Sequence, residues 1–148
     1  LLLFWGGDST TKADAPFYCK GAPSPEIIKT AGCNCAGLIN LLAHKAGFKI
    51  PDLTEGDWYA GGTYAWTVFL RDTGVLQPFD PSKVYAPPGS LLLRENRDPK
   101  DQGGHLAVLL DKQRLLHCYP EAGIVIEDTI AMDYYGFVVP GYFESNCG

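Results

Sequence analysis

At 148 residues the chain is the length of one domain, and its 46% apolar and 20% charged residues give it the material for a core of its own, which excludes a disordered chain. The net charge of −5, with only 12 Lys and Arg and no basic run, argues against a nucleic-acid partner, because phosphate binding needs cations gathered on one face. The longest apolar opening, Leu1 to Trp5, is far too short to cross a membrane and lacks the charged start and cleavage pattern of a complete signal peptide. The start at Leu1 rather than Met reads as a trimmed or mature fragment, which leaves a preceding targeting segment open.

In chain order, the run of Ser, Thr, Lys, Ala, Gly and Pro from Asp8 to Pro25 has no sustained periodicity and reads as a long surface loop, with a short helical turn over Pro25 to Thr30. A helix is predicted from Cys35 to Ala46. Leu38, Leu41, Leu42 and Ala46 recur three or four apart, Asn34 is a good N-cap, and Gly47 follows as a stop. A second helix, aromatic-rich, is predicted from Thr63 to Arg71 and closed by Gly74. Pro78 to Pro88 reads as a proline-rich loop. Beyond it come β-type runs at Ser90 to Leu93, His105 to Leu110, Arg114 to Tyr119, Ile124 to Glu127 and Gly136 to Val139. Helices followed by strands imply a single α+β domain over residues 1–148 with N-terminal helices packed on an antiparallel meander.

Five cysteines, Cys19, Cys33, Cys35, Cys118 and Cys147, make an odd count, so at least one thiol is unpaired unless it bonds another molecule. They are too few for a disulfide scaffold; a bridge from Cys19 to Cys33, or one at Cys147, is left open, and the redox compartment with it.

Cys35 opens its helix, where free backbone N–H groups and the helix dipole favour negative charge and lower a thiol pKa. Ala36 and Gly37 are small enough to let a substrate carbonyl approach, and the amides of Cys35 and Ala36 are candidate oxyanion donors. A thiolate also needs a base that takes its proton and later protonates the leaving amine, for which imidazole suits. His44 is nine residues further along the same helix, about 13 Å away along its axis, and cannot reach. His105 and His117 remain. If Asp111, Lys112 and Gln113 form a three-residue loop, residue 107 pairs with 117 and the two histidines are diagonal neighbours on one face; a two-residue turn would put them on opposite faces.

Several blocks together resemble the NlpC/P60 family of cell-wall peptidases. Cys33-Asn34-Cys35-Ala36-Gly37-Leu38-Ile39 is similar to its Asp-Cys-Ser-Gly-Phe/Leu-Val nucleophile motif, and Ala46-Gly47-Phe48-Lys49-Ile50-Pro51 to its Gly-x-x-Leu-Pro helix exit. Pro88-Gly89-Ser90-Leu91-Leu92 resembles Pro-Gly-Asp-Leu-Val, Gly104-His105-Leu106-Ala107-Val108 resembles the His-Val-Gly-Ile base motif, and Leu116-His117-Cys118 the Ile-His-Ala motif. The resemblance spans about Phe4 to Asp128. It implies a papain-like core and a Cys35–His105–His117 constellation that needs no cofactor and no metal. It also implies cleavage of amide bonds in peptidoglycan stem peptides, typically between D-glutamate and a diamino acid, and favours a secreted, cell-envelope or phage- or virus-associated setting.

The chain departs from the family pattern in three places. Trp5-Gly6-Gly7 looks like the family's Gly-Gly turn, yet Leu3 stands where a site-lining Tyr is usual. Residues 8–32 lengthen the path from that turn to Cys35 and read as an insertion, and Ser90 replaces a common Asp. These put specificity in doubt more than chemistry. Trp5, Asn34, Trp58, Tyr64 and Gly104 are candidate substrate contacts, although the cluster of Trp58, Tyr59, Tyr64, Trp66 and Phe69 is more often core than platform. Asp52, Glu55 and Asp57 read as a solvated acidic loop. A zinc site from Cys33, Cys35, His105, His117 and Cys118 has poor geometry, because adjacent strand residues face opposite ways; Cys118 is expected in the core. Two other functions compete: an acyltransferase or thioesterase on the same fold, and a catalytically silent binding or assembly module with an ordinary thiol at Cys35.

Overall fold

The computed structural model describes residues 35–51, 62–80, 86–97, 103–111, 114–119, 123–128 and 134–147. The insertion at 8–32, the turn at 25–30, Trp5, Asn34, Trp58 and the acidic loop lie outside them. Helix α1 spans Cys35–Ala46 and α2 spans Thr63–Asp72; strands β1 Gln77–Pro78, β2 Leu91–Arg94, β3 His105–Leu109, β4 Arg114–Tyr119, β5 Gly123–Asp128 and β6 Phe137–Val139 follow, and a short α3, Tyr142–Cys147, ends the described chain.

Both long helices stop where the sequence predicts, and for the expected reason. Gly47 and Gly74 adopt positive φ, +76° and +71°, which glycine enters without the Cβ penalty. At α1 the Phe48 amide donates to Ala43 O and the Gly47 amide to His44 O, the paired closure of a left-handed C-terminal cap.

The strands form an open antiparallel sheet in the order β1-β6-β2-β3-β4-β5. The expected meander is β2 to β5; β6 crosses back to lie beside β2, and β1 pairs with it at the far edge. β1 and α3 were not expected. Pro78, assigned to a loop by sequence, sits in the edge strand, where a missing N–H costs no ladder bond on the open side.

Alternation sorts the apolar residues into two cores, one on each face of the sheet. On one face Ala36, Ile39 and Ala43 of α1 and Trp66 and Leu70 of α2 pack on Leu91, Leu93, Leu106, Val108 and Val139. On the other, Phe79, Ala86 and Tyr135 from connecting segments cover Leu92, Ala107, Leu109, Leu115 and Val138. The two helices are tied by a buried hydrogen bond from Trp66 Nε1 to Asn40 Oδ1 at 2.7 Å. Among the described residues no helix is long and apolar enough to cross a membrane.

Candidate active site

The β3–β4 register pairs Ala107 with His117, Val108 with Leu116 and Leu109 with Leu115. The Leu110 amide donates to Arg114 O at 2.9 Å, so the register has the parity that a three-residue connection requires. His105 and His117 therefore leave the same face, and their rings meet: His105 Nε2 lies 2.8 Å from His117 Nδ1, with the ring planes at 86°. His117 is buried and His105 half-buried. The buried Tyr135 flanks His105 at 6.0 Å between ring centres, and Tyr134 stands edge-on at the same distance.

This packing acts on the His105 ring. Burial first, and the electrostatic influence of the neighbouring His117 second, lower the His105 pKa from its usual 6.5 to about 4. At neutral pH His105 is thus an uncharged imidazole, able to accept a proton.

Cys35 forms no disulfide among the described residues and stands, partly exposed, at the first position of α1. Its Sγ lies 3.5 Å from Thr63 Oγ1, the first residue of α2. Thr63 turns its methyl the other way, toward the entry to β3. A Cβ built on Gly104 would stand 2.8 Å from Thr63 Cγ2 and would overlap the carboxamide of Asn96. Glycine is needed there for that close approach. Thr63 therefore touches the thiol on one side and closes on the residue before His105 on the other. The sheet face that receives α1 is the one opposite the histidines. Thr63 is thus the described link between the sulfur and the Gly104 end of β3, while α1 and the imidazoles lie on opposite faces of the sheet.

The sequence-predicted residues thus fall into two groups. His105 and His117 are brought into contact; Cys35 makes its described contact with Thr63; Gly104 joins the groups by lacking a side chain. Ala36 is buried beneath the helix start, and Tyr64 is half-buried on α2. Trp66 is fully buried and belongs to the core, as does Cys118. Sequence reasoning missed Thr63, Asn96 and the tyrosine pair. Asn96 Oδ1 is buried without a hydrogen-bond partner among the described residues, while its backbone amide is 3.4 Å from Thr67 Oγ1. Only Thr63 left a trace in the sequence, as the helix start after Gly61-Gly62. Among the described residues no three His, Cys, Asp or Glu side chains are grouped to hold a metal ion.

Compared with family models and with curated proteins, the chain matches none.

Proposed function

We propose that this chain is a thiol hydrolase of the NlpC/P60 type with a papain-like core, cleaving amide bonds of peptidoglycan stem peptides. The observation that carries the reading is the 2.8 Å contact of His105 Nε2 with His117 Nδ1, in a chain that also sets a partly exposed cysteine at a helix start. With Nε2 engaged by His117, Nδ1 is the nitrogen left to serve the sulfur. That assignment fixes the tautomer: His105 carries its proton on Nε2 and donates it to His117 Nδ1, which keeps Nδ1 of His105 a lone-pair acceptor.

The Cys35 thiol gives its proton to His105 Nδ1 as Sγ bonds to the amide carbonyl carbon, and the Cys35 and Ala36 amides receive the oxyanion. Collapse breaks the C–N bond, and the amine leaves with the proton from His105. Water, deprotonated by the same nitrogen, then attacks the thioester; the acid departs and the thiol is restored.

Incubation with defined cell-wall fragments, read by mass spectrometry, identifies the bond cleaved. Cys35→Ala is expected to abolish turnover and iodoacetamide labelling at residue 35. Full turnover by Cys35→Ala would refute the reading, and ordinary thiol reactivity at Cys35 with no cleavage would favour a silent binding module.

A further inference from the structure

Arg94 and His105 are directly opposed in the β2–β3 ladder, so their side chains leave the same face of the sheet. The guanidinium carbon of Arg94 lies 4.3 Å from the centre of the Tyr134 ring, and that ring stands edge-on to His105. Tyr134 is 44% exposed, and Arg94 is exposed as well. Arg71 and Arg114 each pair with a carboxylate, Glu95 and Asp111 respectively. Arg94 has no such partner among the described residues.

A guanidinium seated over an aromatic ring makes no hydrogen bond to it, so its N–H groups can still present the planar fork that matches a carboxylate. The ring also holds the side chain in place, so less freedom is lost when an anion docks. The rest of the protein is acidic, with a net charge of −5, and repels anions at long range. A cation with no carboxylate partner among the described residues, held beside the general base, gives the site the opposite local preference.

We propose that Arg94, seated on Tyr134, is the subsite for a carboxylate of the substrate, so that the amide cleaved belongs to an anionic molecule whose carboxylate lies within a few bonds of the scissile carbonyl. This rests on the reading of Cys35 and His105 as nucleophile and base.

The test measures alkylation of Cys35 in the full chain by N-iodoacetyl-glycine, N-iodoacetyl-β-alanine and N-iodoacetyl-γ-aminobutyrate. Each is compared with its own carboxamide and normalised to free cysteine. For at least one spacer the acid is expected to react several-fold faster than the amide. Arg94→Met, which keeps an apolar stem over Tyr134, removes that advantage; Arg94→Lys restores part of it, and high salt erases it. Unchanged carboxamide rates in Arg94→Met show that the variant is folded. An amide that matches or outpaces its acid at every spacer in the wild type, or an advantage that survives Arg94→Met, overturns the proposal. Carboxamide rates that do not change in His105→Ala would refute the hydrolase reading alone, since the acid-to-amide ratio reports Arg94 separately. A Cys35 inert to all six reagents overturns both.

Discussion

The protonation of His105 is set by two neighbours of unequal weight. Burial is the larger cause of its low pKa, and the second imidazole is the smaller. If the neutral ring accepts the thiol proton, the acid limb of kcat/KM is expected near pH 4. His117→Leu removes the smaller cause only, so the limb moves upward but stays below 6.5; a wild-type limb at 6.5 would mean that the ring is hydrated. The same shift affects stability. Between pH 6.5 and about 4 the unfolded chain binds a proton at residue 105 that the folded chain refuses, so stability is held above pH 6.5, falls as pH drops through that window, and has no further loss from this group below it. Denaturant melts of the wild type across pH 4–7, set against His105→Gln, check the sign: the variant loses less on acidification.

At the scale of elements, α1 and α2 are joined by a buried polar contact inside an apolar layer. Trp66→Phe deprives Asn40 of its indole donor, and a loss of about 1–3 kcal/mol is expected in chemical denaturation. Combination with Asn40→Ala should show positive coupling in a double-mutant cycle, whereas additivity would mean the bond contributes nothing. Elements of this length were legible in the sequence. The three-to-four spacing and Gly47 give α1 its observed bounds, and α2 differs from the expectation only by Asp72. The β3–β4 parity, and with it the histidine pair, could be read from a three-residue polar break between two apolar runs. β1 could not, since two residues show no period, and neither could the six-residue α3. The junction of Thr63, Asn96 and Gly104 was invisible for another reason: it exists only because segments distant in sequence close on each other.

Across the whole molecule, one hydroxyl links the sheet to the C-terminal turn. Ser90, fully buried, donates to Pro87 O at 2.6 Å and accepts from the Gly141 amide at 2.9 Å. A carboxylate at this position would be a charge sealed from water, a cost that the neutral hydroxyl avoids. Ser90→Ala leaves the Gly141 N–H without this acceptor and is expected to cost about 1–3 kcal/mol, read as a lower midpoint at unchanged denaturant slope. An unaltered midpoint would show that water replaces the hydroxyl.

The two cores are closed by different materials. Helices seal the face beneath Cys35, whereas connecting segments at Phe79, Ala86 and Tyr135 seal the face that carries the imidazoles. Any loosening of that cover admits solvent to the ring of residue 105 and strengthens its hold on a proton, so the proton affinity of the ring and the seating of its cover are thermodynamically linked. An occupant that presses Tyr134 and Tyr135 inward would dry the ring further, and so set the proton affinity of the group waiting beneath it.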